Sequence, residues 1–406
     1  MSGATRPPTD GARPVGVGMV GYAFMGAAHS QAWRTVNRVY DLPAAAAMVA
    51  VCGRDEGRTA QAAERLGWES YETDWKALVR RDDVQLVDVC TPGSSHAEIA
   101  IAALEAGKHV LCEKPLANTV AEARAMVAAA ERVRPDGVRA MIGFNYRRVP
   151  ALALARQLLQ AGRLGVVRHV RAVYAQDWII DPEFPLVWRL QSEQAGSGAL
   201  GDLGAHIVDL AQHLLGQRIT GVSALTETFV KERPLPEPSS GLTAGGTAGR
   251  GQVTVDDAAL FLARLDGGAL GSFEATRFAA GRKNGLRIEV NGDRGSLAFD
   301  FESMNELQFF DGAEDLGTQG FRRILVTEPS HPYFSAWWPP GHLIGYEHTF
   351  THQARDLLEC LGTGSDPAPS FADGLQVQEV LEAVVASAAS GSSWTPVGTQ
   401  TPGEPA

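Results

Sequence analysis

The stretch that decides the fold is Val15-Gly16-Val17-Gly18-Met19-Val20-Gly21-Tyr22-Ala23-Phe24-Met25-Gly26. Its first six residues are apolar or glycine without a break, the pattern of a strand buried on both faces. A literal Gly-x-Gly-x-x-Gly match starts at Gly16 and runs through Gly18 to Gly21, but no strand pattern precedes Gly16. In the later register, Gly21-Tyr22-Ala23-Phe24-Met25-Gly26 follows the strand and opens a helix. That register alone places open helix amides and the positive end of the helix dipole where a pyrophosphate can sit. Ala23 stands where a second glycine usually lets the backbone close on phosphate.

Working outward, residues 47–52, 86–90, 109–112 and 140–144 are further apolar runs, separated by segments of helical periodicity. This is a βαβ series, and it predicts a Rossmann-like, doubly wound parallel sheet in an α/β chain. Thr119 and Glu122 have capping-box spacing ahead of a helix over 120–134, closed by Pro135-Asp136-Gly137. Beyond Arg148 the pattern changes. Leu265-Asp266-Gly267-Gly268 and Val290-Asn291-Gly292-Asp293 are tight-turn signals inside strand-like stretches 258–277 and 286–301. With 166–178 and 221–230 they predict a C-terminal α+β domain built on a large open-faced, mainly antiparallel sheet. Residues 233–251, rich in Pro, Gly, Ser and Thr, read as an exposed loop. The expected division is a flexible tail over 1–14, a nucleotide-binding domain over 15–147, an α+β domain over 148–397, and a second flexible tail over 398–406.

Composition narrows the function classes. At roughly 150 residues per domain, 406 residues predict two domains. Apolar content of 45% with 20% charged residues is globular. No apolar run approaches the roughly 18 residues that span a bilayer, and the first residues lack the apolar core of a secretion signal. The net charge of -11, with no basic block, opposes binding to nucleic acid or an anionic membrane. Four cysteines without paired spacing, three of them (Cys52, Cys90, Cys112) closing apolar runs, suit buried thiols in a reducing cytoplasm. Disulfides, zinc knuckles and any other metal site are not expected.

Two motifs carry chemistry. Glu113-Lys114-Pro115 follows a strand at the C-terminal edge of the parallel sheet, where such folds bind ligands. Lys114 is either a reacting group or a surface cation. The run 195–201, Ala-Gly-Ser-Gly-Ala-Leu-Gly, introduces a helix bearing Asp202, His206, Asp209 and His213. At about 100° per residue these four share one stripe, beside a docking face of Leu203, Ile207, Leu210 and Leu214. His213 lies about 10 Å further along the axis than His206, a packing rather than a catalytic position.

Gly21 to Gly26, Thr91-Pro92 with His96, Glu113-Lys114-Pro115, Gly143-Phe144-Asn145-Tyr146-Arg147, and Gly201-Asp202 with His206 and Asp209 together resemble the Gfo/Idh/MocA oxidoreductases, from Val15 to about Val397. Gln176-Asp177-Trp178, residues 196–210 and Ser370-Phe371-Ala372-Asp373-Gly374 are similar to the levoglucosan and inositol dehydrogenase branches of that family. The resemblance implies an N-terminal Rossmann domain, an open-faced C-terminal sheet used to form a homodimer or homotetramer, and NAD(P)-linked oxidation of sugar or polyol hydroxyls. By matching position it implies Lys114, Asp202 and His206 as the catalytic set, and residues 148–397 as the substrate-binding and oligomerisation domain. Oxidising an alcohol needs a base of near-neutral pKa for the hydroxyl proton and a cation beside the developing alkoxide. His206 suits the first task and Lys114 the second, while Asp202 can orient the imidazole or bind a neighbouring hydroxyl.

The candidate cofactor residues are Gly21, Ala23, Phe24, Met25, Gly26, Arg54, Thr91, Pro92, His96, Glu113 and Lys114. At the end of the second strand, Cys52-Gly53-Arg54-Asp55 lacks the usual ribose carboxylate. Arg54 can pair with a 2′-phosphate or be a solvated charge, and Asp55 can face the ribose or cap the next helix. The lean is to NADP over NAD. The candidate substrate residues are Lys114, Tyr146, Arg147, Trp178, Trp188, Asp202 and His206. Each aromatic offers a flat sugar-stacking face or is core, and Arg147 and Arg189 bind hydroxyls or pair with acidic neighbours. An acidic edge and the net charge of -11 favour a neutral sugar, anhydrosugar or cyclic polyol. His348 and His352, four apart, are expected to be structural, since no Glu lies between them in the zinc-protease pattern. Two other classes compete: a glycosidase using bound NAD for transient oxidation, and a non-catalytic sugar or dinucleotide sensor.

Overall fold

A computed structural model describes residues 14–236 and 249–398 of the chain. Both expected tails lie outside these residues except for Pro14 and Gly398. The described chain divides into two compact units, 14–117 with 121–149 and 327–375, and 118–120 with 150–326 and 376–398.

In the first unit six strands form one parallel sheet: β1 (Val15–Val20), β2 (Ala46–Cys52), β3 (Ser70–Glu72), β4 (Leu86–Val89), β5 (His109–Cys112) and β6 (Ala140–Ile142). Their order, β3-β2-β1-β4-β5-β6, reverses direction between β1 and β4. Helices α1 (Phe24–Val39), α2 (Glu56–Leu66), α3 (Trp75–Val79), α4 (His96–Glu105) and α5 (Val120–Val133) lie between strands. All strands are parallel, as continuous apolar runs require. Val17, Met19, Val51, Leu86, Leu111 and Met141 form a core with Trp33 and Val36 of α1. Phe350, Ala354, Leu357 and Leu358, from the helix Tyr346–Thr363, pack into that core although they come more than two hundred residues after it. Cys52, Cys90 and Cys112 are buried, Cys360 is half-exposed, and all four are free thiols.

The second unit holds a nine-stranded sheet. Helix α6 (Pro150–Gln160) leads to β7 (Val167–Ala175), and a single turn, α7 (Ser192–Ala195), precedes α8 (Ala205–Leu215). Strands β8 (Ile219–Glu227), β9 (Glu232–Pro234), β10 (Arg250–Gln252), β11 (Ala258–Leu265), β12 (Leu270–Thr276), β13 (Gly285–Gly292), β14 (Gly295–Asp300), β15 (Glu306–Asp311), β16 (Arg322–Leu325) and β17 (Thr395–Pro396) follow. The large sheet runs β16-β15-β14-β13-β7-β12-β11-β8-β17, and only β12 and β7 pair in parallel. Helices α6 and α8 cover one face. On β11, Leu260 and Leu262 point away from that cover while Phe261 and Ala263 are buried under it, the period-two alternation of a one-sided sheet.

Two expectations are corrected. The loop expected over 233–251 closes at its ends: Glu232–Pro234 pairs with Arg250–Gln252 as a β-ribbon, and residues 237–248 lie outside the described residues. Arg233 makes this possible, since its buried guanidinium donates to the carbonyls of Ile179, Asp181 and Phe184. The regular helix expected through Asp202 instead begins with a π-helical turn, Leu200–Gly204, and the Ala205 N–H donates back to Leu200 O. Asp256 accounts for this start, because its carboxylate accepts the N–H groups of Gly198 and Leu200, both at 2.7 Å. The wider turn offsets Asp202 from the stripe that a continuous α-helix would give.

Candidate active site

In the first unit the candidate residues line the C-terminal edges of the parallel strands. Gly21 ends β1 with φ +99, a left-handed conformation that a side chain resists, and an added Cβ would lie 2.7 Å from Cys90 O. Gly16, in the rejected register, sits inside β1, where a Cβ would meet Asp83 O at 1.9 Å. Helix α1 opens at Phe24 with no side-chain cap on Ala23 and no acidic residue in its first turn. Sixteen residues long, it presents an N-terminus that fits an anionic pyrophosphate. Met25 and Gly26 continue this turn, and Phe24, 64% exposed, stacks on Tyr346. The donors and the glycine turn therefore fit a dinucleotide.

At the end of β2, Asp55 caps α2 by accepting the Arg58 N–H at 2.8 Å, and Arg54 is exposed. The Tyr22 ring lies so close over Gly53 that a Cβ there would come within 2.0 Å of it. At the end of β4, the Ser95 hydroxyl donates to Thr91 Oγ1 and Pro92 O. His96 is buried, with Nδ1 2.9 Å from Pro115 O and Nε2 2.8 Å from Thr91 O. It thus braces the Thr91-Pro92 and Lys114-Pro115 turns against each other. Glu113 is also buried beneath its turn, while Lys114 is half-buried. After β6, Tyr146 is buried and Arg147 reaches Asp373 at 3.4 Å. Burial pushes the Asp373 carboxyl up, but the Arg147 charge and bonds from Ser370 hold it below its usual value. His352 is fully buried, accepting from Trp337 Nε1 at 2.7 Å with Nδ1 2.9 Å from Arg148 O. Its nitrogens are occupied, as a structural role requires.

In the second unit Asp202 and His206 flank the junction between the π turn and α8. Arg277, 1% exposed, donates through Nη2 to Asp202 Oδ2 at 3.1 Å and to Gly198 O at 2.9 Å. The same guanidinium lies 5.2 Å from the Trp178 ring centroid. Arg189 lies over Trp188 at 4.3 Å, and burial holds its pKa down against the attraction of Asp202. His206 is buried beside the Tyr174 ring, whose hydroxyl donates to Asn284 Oδ1 at 2.7 Å. His213 is half-buried, and its carbonyl accepts from Arg156. Trp178, Trp188, Asp202 and two arginines therefore form one cluster, with charge on Asp202 balanced inside it. Sequence reasoning missed Arg277, Asp256, Tyr174 and Asn284 here, and His29 and Asp88 in the first unit. The adjacent pair Asp256-Asp257 in an apolar strand setting was the one local signal.

Residues 15–144 match the oxidoreductase family with an NAD-binding Rossmann fold, and residues 152–298 match the GFO/IDH/MocA C-terminal domain. A levoglucosan dehydrogenase from Pseudarthrobacter phenanthrenivorans is 41% identical over 386 residues, covering 94% of this chain and 97% of that one. The chain belongs to the Gfo/Idh/MocA family. As such it is an NAD-binding oxidoreductase with the N-terminal Rossmann sheet and mainly antiparallel C-terminal sheet of that family. Among solved structures, an oxidoreductase domain protein from Kribbella flavida is 64% identical, with a TM-score of 0.91 and coverage of 96% of this chain and 100% of that one. A levoglucosan dehydrogenase in complex with NADH and levoglucosan is 40% identical, with a TM-score of 0.89 and coverage of 95% and 100%. No helix among the described residues is long and apolar enough to cross a membrane.

Proposed function

We propose that this oxidoreductase moves a hydride between a hydroxyl-bearing carbon of a neutral sugar, anhydrosugar or cyclic polyol and nicotinamide. The observation that carries the reading is the Asp202 carboxylate, held by buried Arg277 at the head of the helix that bears His206, beside Trp178. Polar partners for vicinal hydroxyls thus stand next to a flat apolar face, the composition of a sugar site. The 41% identical levoglucosan dehydrogenase supports an anhydrosugar within that class.

Bound nicotinamide supplies the hydride acceptor in the oxidising direction. His206 takes the hydroxyl proton, and the Lys114 ammonium meets the charge that develops on oxygen. Asp202 orients the imidazole or binds the adjacent hydroxyl. Gly21, Ala23, Phe24, Met25 and Gly26 hold the pyrophosphate, and Thr91 and Pro92 flank the ribose–nicotinamide half, with His96 and Glu113 supporting that edge. Tyr146, Trp178 and Trp188 supply apolar faces. Arg147, already paired with Asp373, is left to orient hydroxyls rather than clamp an anion.

Arg54 contributes to a 2′-phosphate contact, and the chain uses NADP as well as NAD, with NADP preferred. Asp55 commits one carboxylate oxygen to its helix cap. A second copy of the chain covers the open face of the large sheet, where Leu225 and Leu260 pair across β8 and β11 with 65% and 46% of their surfaces exposed. Free, buried thiols suit a reducing cytoplasm.

The test is reduction of NAD and NADP by levoglucosan, inositols and neutral pyranoses against their phosphorylated or carboxylated analogues. Net reduced cofactor with the neutral compounds is expected. Anionic analogues favoured about tenfold or more would make Arg147 and Arg189 an anion clamp, and free sugar released without net reduction would replace the dehydrogenase with a glycosidase.

A further inference from the structure

Beneath the Glu113-Lys114-Pro115 turn lies a buried chain of polar groups of which only Glu113 has a place in the mechanism above. His29 projects from α1 into the first unit with 2% of its surface exposed. Its Nδ1 lies 3.0 and 2.9 Å from the two carboxylate oxygens of Asp88, and its Nε2 lies 3.0 Å from Glu113 Oε1. Asp88, fully buried on β4, also accepts from Trp33 Nε1 at 2.7 Å and from Cys90 Sγ at 3.5 Å. The other oxygen of Glu113 accepts the backbone N–H of Lys114 at 3.1 Å. Hydrogen bonds therefore run unbroken from the end of β4, through the imidazole, to the peptide that carries Lys114.

Both ring nitrogens face carboxylate oxygens, and a hydrogen on each nitrogen lets the ring donate to both ionised carboxylates. Burial, the largest single influence, pulls the His29 pKa down, but Asp88, through its charge and its hydrogen bond, together with Cys90, outweighs it and the group titrates well above its ordinary value. Of the other groups facing the ring, the Cys90 thiol is pushed up by burial and stays protonated, and Phe350 adds an uncharged ring at 5.3 Å. Gly143 makes room for the arrangement, since a Cβ there would fall 2.8 Å from Glu113 Oε1. His29, Asp88 and Cys90 bring possible ligand atoms within 4.8 Å of one another. A metal ion needs an unprotonated ring nitrogen, however, and here both are turned to carboxylates.

We propose that His29 is a positioning residue: bridging Asp88 and Glu113, it fixes the carboxylate from which the Lys114 backbone hangs and so sets the place of the Lys114 side chain. This rests on the reading of Lys114 as the group that meets the developing oxygen charge. Replacing the bridge with an apolar side chain leaves two buried carboxylates facing each other without a cation, and the turn moves to separate them. A displacement of about 1 Å in such a group costs turnover up to a hundredfold.

The first test needs no variant. Nitrogen chemical shifts of the imidazole in wild-type protein at about pH 8, above the ordinary histidine value of 6.5, should show both His29 nitrogens protonated; a neutral tautomer would overturn the bridge. The second test is a double-mutant cycle on kcat with His29→Gln, His29→Leu and Lys114→Ala. His29→Leu should lower kcat about tenfold to a hundredfold, His29→Gln less, because its amide still donates to one carboxylate. In the Lys114→Ala background both changes should lose most of their effect. If the His29 variants are equally harmful with and without Lys114, positioning is refuted while Lys114 keeps its role. If Lys114→Ala alone retains full kcat, the reading of Lys114 fails and this proposal with it.

Discussion

Arg277 Nη2 stands 3.1 Å from Asp202 Oδ2, and the arginine is buried while the carboxylate is partly open to solvent. One oxygen of Asp202 is thus tied into the protein while the carboxylate stays partly open to solvent. Charge-assisted hydrogen bonds contribute about 1.5–3 kcal/mol. Arg277→Ala should lower kcat/KM for a neutral sugar at least tenfold and lower the thermal midpoint. Arg277→Lys should lie between, because an ammonium lacks the fork that reaches both Gly198 O and Asp202. Steady-state kinetics with calorimetry checks this, and an Arg277→Ala enzyme with unchanged kcat/KM would detach Asp202 from substrate.

Lys114→Ala and His206→Ala should each reduce turnover by about two orders of magnitude or more, the scale of a positioned acid–base group. Cofactor affinity of His206→Ala should stay within a few-fold of wild type, because the pyrophosphate contact is assigned to the glycine turn at Gly21 and not to His206. Titration of intrinsic fluorescence with NAD separates the two effects. Near-full turnover in His206→Ala would remove it as the base.

Arg54→Ala should raise the KM for NADP far more than that for NAD, given the strength of a charge-assisted contact. Asp55 is expected to be neutral in this comparison, since its carboxylate is engaged with the Arg58 N–H. Equal changes with both cofactors would place Arg54 in bulk solvent.

Burial pushes His352 down to about 3, with Trp337 Nε1 donating to one ring nitrogen. The folded value is below the unfolded value of 6.5, so the unfolded chain takes up the proton first. The stabilisation is complete above about pH 6.5 and is lost as pH falls toward 3, at most about 1.4 kcal/mol per unit. His352→Gln should therefore melt lower at neutral pH yet show a flatter fall of its thermal midpoint between about pH 7 and 5. Parallel curves for the two proteins would show that another group drives the acid limb.

Much of this structure is legible in one dimension because its signals are local. The run Val15–Val20, the turn at Gly21 and the hairpin signal Leu265-Asp266-Gly267-Gly268 each act over a few residues, and Gly268 does close a turn with φ +89. Asp202 and His206 are likewise four apart on one segment. Arg277 and Asp202 are 75 positions apart, and His29 is 59 from Asp88 and 84 from Glu113. No periodicity links such partners, because the sheet brings them together only once its register is set. The π turn depended on Asp256 in the same way. The helix Tyr346–Thr363 shows its amphipathic pattern plainly, but an apolar face does not say which core it will join.

The buried thiols carry one more consequence, in covalent reactivity. Burial pushes Cys52 up to about 12 and holds Cys90 and Cys112 well above the ordinary thiol value, so none of them offers a thiolate to an electrophile. Cys360, half-exposed on its helix, is left as the thiol that an alkylating reagent meets first. Native protein treated with iodoacetamide should gain a single adduct, at Cys360, with turnover intact. A maleimide dye would then mark each chain once, giving a stoichiometric handle for counting subunits in single molecules.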